Sequence, residues 1–282
     1  MPEIAYVDGK YLPLDEAYVH VEDRGFQFAD AVYEAVRTYG GRPFAVEEHL
    51  RRLFRSLEAI RLDPGIEMER FKEIIDECLR LAGFMESMIY LQVSRGRAPR
   101  HRAFPGEPRP TVVLTVRQFV PHPEWRAAGV AAITVPDIRW GRCDIKSVGL
   151  LANCLAYEAA RQAGVNDAIF VTEAGVVSEA TASNVFLISG ASLMTPRNSP
   201  GLLPGITREK ILEAARSCGI PASEKVIMRS DLLAADEVFL SSTSAEVVPV
   251  VVVDKLRIGA GRPGPLAARI YDRFIELFAG TS

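Results

Sequence analysis

Apolar and polar positions alternate from Ile4 to Leu12 around Asp8-Gly9, which predicts a hairpin at the start of the chain. The run Ala31 to Tyr39, AVYEAVRTY, closes at Gly40-Gly41 and continues into Arg42 to Phe44. It reads as a strand paired back through the glycine turn, although its alanines leave a helical start open. From Val46 to Ile60 the period changes: Val46, Leu50, Leu53, Phe54, Leu57 and Ile60 recur at helical spacing. Glu67 to Leu81 repeats that pattern and stops at Gly83. Met88 to Ser94 and Thr111 to Val120 read as strands of the same sheet, separated by the proline- and arginine-rich stretch SRGRAPRHRAFPGEPRP.

Phe119 to Pro123, FVPHP, is the best linker, so the expected division is residues 1–118, a linker at 119–123, and residues 124–282. The second part predicts strands at Val130 to Val135, Ala168 to Thr172, Val176-Val177, Val185 to Ile188, Val238 to Ser241 and Val247 to Val253. Its helices are Leu150 to Ala163, Thr207 to Cys218 and Leu266 to Phe278. Many short strands with few helices point to an α+β fold whose second domain is barrel-like, not to a doubly wound sheet.

Composition narrows the classes. Apolar content of 48% and charged content of 24% are ordinary for a globular protein, and a net charge of −3 argues against a nucleic-acid binder. No run reaches membrane-span length and the first residues have no apolar leader pattern. Cys78, Cys143, Cys154 and Cys218 lie far apart without C-x-x-C, which fits thiols in a reducing cytoplasm. The four histidines show no ligand spacing, so no metal site is expected.

Six of the 33 lysine and arginine residues are lysines, and only Lys146 lies in a stretch with no surface pattern, IRWGRCDIKSVGLL. Burying an ammonium is costly, and a lysine that sheds its proton is a nucleophile able to form a Schiff base. The bland alternative is an exposed lysine paired with Asp144. Leu203-Pro204-Gly205-Ile206-Thr207-Arg208 sets a tight turn into a helix whose free N–H groups at Ile206 and Thr207 suit a phosphate; plain capping by Thr207 is the alternative. Ser241-Ser242-Thr243-Ser244 adds hydroxyls that suit phosphate oxygens or a solvated turn. Glu179, among small residues between strands, suits a cationic ring nitrogen or a surface loop. Arg95, Arg97, Arg100 and Arg102 suit a substrate carboxylate or simple solvation. The match Gly259 to Gly264 to G-x-G-x-x-G lacks the acidic residue and the further βαβ unit that a dinucleotide site needs, so it reads as a turn into the last helix. Lysine, phosphate cradle and ring-nitrogen carboxylate are together what pyridoxal 5′-phosphate requires.

Several motifs in order resemble the fold-type IV pyridoxal-phosphate enzymes, and among them the D-amino-acid transaminases. They are EDRGFQFADAVYEAV (Glu22 to Val36), EHLRRL (Glu48 to Leu53), RWGRCDIKSVGLL (Arg139 to Leu151), SEATASNVF (Ser178 to Phe186), LPGITR (Leu203 to Arg208) and ADEVFLSSTSAEVVPV (Ala235 to Val250). The resemblance implies a smaller N-terminal α/β sandwich and a larger barrel-like C-terminal domain with the site between them. It implies that Lys146 joins the cofactor and Glu179 binds its pyridine nitrogen. Arg52, Ile206, Thr207 and Thr243 would hold the phosphate with Ser242 nearby, Tyr33 would sit beside the lysine, and Leu203 would support the ring. It also implies a homodimer in which the arginine loop reaches into the partner's site. The best-known D-alanine enzymes carry Arg-x-His in that loop; here Arg100-His101-Arg102 keeps the arginine, with Arg102 where the histidine would be, an arrangement expected to favour acidic substrates. Branched-chain aminotransferases of this fold usually show tyrosine-x-arginine before the loop, whereas this chain has Tyr90-Leu91-Gln92. An aminodeoxychorismate lyase fits the DIKS stretch and the arginine loop less well, and a non-catalytic cofactor-binding protein is the reading from another class.

Overall fold

The computed structural model describes residues 2–279, which divide into two compact units. One is the chain up to Val120 together with Ile145–Gly149; the other is Pro121–Asp144 and the chain from Leu150 onward. No helix among the described residues is long and apolar enough to cross a membrane.

The first unit is built on an antiparallel sheet of β1 (Ile4–Val7), β2 (Lys10–Pro13), β3 (Ala31–Tyr39), β4 (Arg42–Pro43), β5 (Ser87–Ser94) and β6 (Thr111–Gln118). Their order is β2-β1-β6-β5-β3-β4, so the two predicted hairpins form the two edges. β5 alternates buried and half-buried positions, as a strand with one core face should. That face meets the apolar stripes of α2 (Val46–Ala59) and α3 (Met68–Ala82), where Leu50, Leu53, Leu57, Phe71, Ile74 and Ile75 pack with Val36, Ile89, Leu91 and Leu114. A short helix, α1 (Arg24–Phe28), precedes β3; Asp23 caps it by accepting the Gly25 N–H at 2.8 Å.

β4 pairs only with Thr38 and Tyr39, which leaves the first residues of β3 open along that edge. Residues 145–149 take the place. Tyr33 N–H donates to the Lys146 carbonyl at 2.9 Å, Val148 N–H donates to the Ala31 carbonyl at 3.2 Å, and Ile145 enters the apolar core. Two main-chain bonds and one buried isoleucine therefore fix the lysine's backbone against β3.

The second unit opens with α4 (Pro123–Ala128), a helix that begins inside the stretch expected to be a linker. It carries a mixed sheet of β7 (Val130–Pro136), β8 (Asp167–Val171), β9 (Val177–Ala180), β10 (Asn184–Ser189), β11 (Ser192–Pro196), β12 (Ala222–Lys225), β13 (Glu237–Ser241) and β14 (Val248–Val253), with β15 (Leu256–Arg257) paired to β14. The order is β12-β11-β10-β13-β14-β7-β8-β9, and β9 returns to touch β10 and β11, the curl of a barrel-like sheet. The α5 helix (Leu151–Gln162) packs Ala156 and Ala160 on β8 through Ala168 and Phe170. α6 (Ile206–Ser217) packs against α8 (Pro265–Phe274), and α7 (Arg229–Ala234) links β12 to β13.

The glycine-rich segment does turn into α8. The Leu266 and Ala267 N–H groups donate to the Glu237 carboxylate at 3.0 and 2.8 Å, and a Cβ on Gly264 would lie 2.0 Å from Glu237 Cδ. A carboxylate already occupies that helix start, so it offers nothing to a phosphate.

Candidate active site

Lys146 is half-buried, and its ammonium lies 4.4 Å from the centroid of the Tyr33 ring. Its backbone N–H donates to Ser56 Oγ of α2 at 3.3 Å. Among the described residues no carboxylate lies within ion-pair distance of its ammonium, and Asp144, the partner of the bland reading, is held at both oxygens by Arg142. Tyr33 stacks on Tyr90 with centroids 5.4 Å apart, and Tyr90 donates its hydroxyl to Gln92 Oε1 at 2.7 Å. Burial first, then the neighbouring Tyr33, pushes the Tyr90 hydroxyl up to about 12.

On the core face of β3, one residue from Tyr33, Glu34 is completely buried between Val32 and Val36. A carboxylate there requires a cation, and α2 supplies it. Arg52 donates Nε and Nη2 to the two Glu34 oxygens at 2.7 and 2.8 Å, and His49 Nδ1 lies 2.7 Å from Oε2. His49, Arg52 and Ser56 lie at helical spacing on one face of α2, so a single helix carries Glu34's partners and the contact to the lysine segment. Burial pushes the Glu34 carboxyl up, but the charge and hydrogen bond of Arg52, helped by His49, bring it down to about 2. Burial likewise lowers the pKa of His49 against the pull of Glu34, so the ring is neutral. With Nδ1–H donating to an ionised Glu34, Nε2 carries the lone pair, and it is buried with no hydrogen-bond partner among the described residues.

In the second unit Glu179 sits in β9, whose four residues are all buried, which removes the surface-loop reading. Arg139 Nη1 donates to one Glu179 oxygen and the Leu203 N–H to the other at 3.0 Å. The same guanidinium reaches Asp137 through Nε and Nη2 at 2.9 and 2.7 Å, Ser178 Oγ at 3.0 Å and the Gly201 carbonyl at 3.0 Å. Burial raises the Asp137 carboxyl, but the hydrogen bonds from Arg139 and Ser178 outweigh it and the net direction is down.

The helix start at α6 is assembled by Asn184 of β10. Asn184 Nδ2 donates to the Leu203 carbonyl at 3.0 Å, and a Cβ on Gly205 would stand 2.1 Å from Asn184 Oδ1, so only glycine fits. Gly205 is the N-cap, no side chain caps the helix, and Ile206 and Thr207 are buried as its first two residues. Thr207 is therefore not the cap. Next to β10, β13 ends at Ser241, whose hydroxyl is buried without a partner among the described residues. Ser242 is engaged in its own turn, accepting the Ala245 N–H at 3.1 Å, and Thr243 is half-buried beside it.

The structure thus joins Tyr33 with Lys146, sets Arg52 on Glu34, and joins Glu179 with Leu203. Arg100, His101 and Arg102 stand apart as exposed residues at the end of α1, where Arg100 donates to the Gln27 carbonyl at 3.3 Å. Arg95 is a buried structural residue tied to Asp30. Sequence reasoning missed Glu34, His49, Arg139, Asp137 and Asn184. The one available signal was a glutamate at the inward register of Val32-x-Glu34-x-Val36.

These residues fit pyridoxal phosphate: an uncapped helix start that a Cβ would obstruct, an orphaned buried hydroxyl beside it, a buried carboxylate with fixed donors, and a lysine without a counter-ion. A sequence profile of the amino-transferase class IV family matches residues 31–253. The chain is 37% identical to the D-alanine aminotransferase of Bacillus licheniformis over 263 residues, 93% of each protein. Its fold is similar to that of the Escherichia coli branched-chain amino acid aminotransferase, with TM-score 0.93 and 27% identity over 100% of this chain and 96% of that one. It is also similar to a hypothetical aminotransferase from Mycobacterium tuberculosis in its PLP-bound form, with TM-score 0.86 and 25% identity over 99% and 100%. An uncapped helix start, a lysine free of carboxylates and a family match across most of the chain agree, and this protein belongs to the class IV aminotransferases, enzymes that exchange amino groups between amino acids and keto acids with pyridoxal phosphate.

Proposed function

We propose that this enzyme is a D-amino-acid transaminase, moving the amino group of D-alanine and other D-amino acids to 2-oxoglutarate or another 2-keto acid. The observation that carries this reading is the 37% identity with a D-alanine aminotransferase along nearly the whole chain, against 27% with the branched-chain enzyme of similar fold. Gln92 supports it: where the branched-chain pattern has an arginine, this chain has an amide engaged by Tyr90.

Bound pyridoxal phosphate supplies the aldehyde that takes up the amine and the ring that accepts the electrons left at Cα. Lys146 would hold the cofactor, and its amine would move the substrate's Cα proton. Glu179, its two oxygens fixed by the Leu203 N–H and Arg139, would hold a proton on the ring nitrogen. Ile206 and Thr207 at the start of α6, Thr243 with neighbouring Ser242, and Arg52 would hold the phosphate. Tyr33 orders the lysine.

Arg100 receives the substrate carboxylate, with His101 and Arg102 beside it; both arginines are free of carboxylate partners among the described residues. In this reading the enzyme is a homodimer and the loop serves the partner's site. Four free cysteines fit a reducing cytoplasm. The test is to mix the purified holoenzyme separately with D-alanine and L-leucine, following keto-acid release and loss of the cofactor's visible band. Turnover of D-alanine is expected, and turnover of L-leucine alone would replace this reading with the branched-chain one.

A further inference from the structure

The loop that carries Arg100 is built on another arginine. Of its basic residues, Arg95 is buried and spends its guanidinium on Asp30 at 2.9 Å and on the Arg61 and Ile60 carbonyls at 3.0 and 2.7 Å. Arg97 pairs with Glu22 at 3.5 Å. Arg100, Arg102 and Arg109 carry no ion pair among the described residues, and of these Arg100 stands at the end of α1.

Arg24, in α1, is 3% exposed. Its Nε donates to Asp30 Oδ2 at 2.7 Å, the oxygen that also receives Arg95. Its remaining nitrogens reach three consecutive carbonyls of the loop: His101 at 2.5 Å, Arg102 at 3.5 Å and Ala103 at 3.3 Å. A planar fork can serve a carboxylate and a curved stretch of backbone together, whereas a single ammonium cannot.

Ring contacts extend the arrangement. The Phe28 ring has the Arg24 guanidinium at 4.9 Å and that of Arg100 at 4.7 Å, and the Phe104 ring has Arg24 at 6.0 Å and Arg95 at 3.6 Å. Arg100, Phe28, Arg24, Phe104 and Arg95 thus alternate cation and ring, with Asp30 anchoring the two buried arginines. The base of the loop is tied to the same segment, since Ala98 N–H donates to the Glu22 carbonyl at 3.2 Å.

We infer that Arg24, anchored on Asp30, is the positioning residue of this loop and sets Arg100 in place for the substrate carboxylate. The inference rests on the reading of Arg100 given above. Pre-organisation of an exposed guanidinium lowers the ordering cost of binding and leaves the proton-transfer step untouched.

The test compares Arg24→Lys, Phe28→Leu and Arg100→Ala holoenzymes with D-alanine, reading KM, kcat, the cofactor's visible band and amide hydrogen exchange. Arg24→Lys is expected to raise KM about tenfold or more, the order of one charge-assisted hydrogen bond. Its kcat and visible band should stay unchanged, and exchange should quicken at residues 98–104 but not at 145–149. Phe28→Leu leaves the Arg24–Asp30 pair intact and carries the same expectation in smaller degree, so the inference stays testable if Arg24→Lys does not fold. Raised KM in Arg100→Ala with unchanged KM in the other two would overturn the inference alone. Unchanged KM in Arg100→Ala would overturn the carboxylate reading itself, and the inference with it.

Discussion

Each unit buries an arginine–carboxylate cluster, and the two are balanced differently. In the first, one carboxylate, Glu34, receives one guanidinium and a neutral imidazole, so Glu34, Arg52 and His49 sum to zero. In the second, one guanidinium, Arg139, is shared by Asp137 and Glu179, and these three groups sum to one negative charge. The cluster beside Lys146 is closed on itself, and no carboxylate of it pairs with the lysine ammonium. The cluster with a surplus negative charge is the one to which the protonated ring nitrogen is assigned in the proposed function. Similar side chains are thus counted differently in the two units, and the proposed roles of Lys146 and Glu179 differ with them.

The largest effect separates chemistry from scaffold. Lys146→Ala should lower transamination by about 10⁴-fold or more, the upper range of one acid–base group together with loss of the covalent attachment. Borohydride reduction and peptide mapping of the unaltered enzyme should place the label on residue 146. A label elsewhere would remove the lysine from its side of the comparison.

Next comes the balanced cluster. In the cofactor-free enzyme Glu34→Gln sets a neutral amide against the Arg52 guanidinium, and breaking a buried pair from one side costs about 3–5 kcal/mol. Urea unfolding should report that loss directly. A variant as stable as the parent would show that the guanidinium finds another counter-charge and that Glu34 is not what balances it.

The unbalanced cluster should respond in catalysis more than in stability. Asp137→Asn keeps a hydrogen-bonding side chain next to Arg139 but removes one negative charge, so Arg139 weighs more heavily on Glu179. About a tenfold drop in kcat is expected, the effect of roughly 1.4 kcal/mol on holding the ring-nitrogen proton. Activity lost only in step with unfolding would mean that the surplus charge has no catalytic role.

The clusters were also unequal in how they could be read. Amphipathic Val46 to Ile60 and the Asp8-Gly9 hairpin were visible because their signals are local. Lys146 was visible as the one lysine without a surface pattern, and the α6 entry because Pro204-Gly205 announces it. The partners were not, since Glu34 and Arg52 lie 18 positions apart and Arg139 and Glu179 lie 40 apart. Each looks like an ordinary surface charge until the fold pairs them. Ser192–Pro196 and Ala222–Lys225 escaped notice for a related reason: hydroxyl and charged residues on strands toward the sheet's edge carry little apolar alternation.

The smallest expected effect is the pH dependence that should distinguish the clusters. His49 has its pKa lowered in the folded protein from an ordinary value of 6.5, through burial first and then the Arg52 and Lys146 charges, against the opposing pull of Glu34. Below pH 6.5 the unfolded chain therefore binds a proton that the folded chain refuses, and stability is lost as the pH falls. Glu34 acts in the same sense but lower, its contribution fading between its ordinary 4.5 and about 2. In the second unit Asp137 behaves like Glu34, while Asp167, raised by burial ahead of its hydrogen bonds, gives its stabilisation at low pH and loses it as the pH rises. Of this set only His49 has an ordinary value as high as 6.5, and its lowered pKa makes stability fall as the pH drops below it, the opposite sense to Asp167. Unfolding free energies from urea titrations should fall below pH 6.5 with a slope of no more than about 1.4 kcal/mol per pH unit, and the midpoints with them. His49→Asn, which can still donate to Glu34 but cannot titrate, should hold its midpoint level. Equal slopes in the two proteins would show that His49 is not buried neutral, and the sum of charges around Glu34 would have to be drawn again.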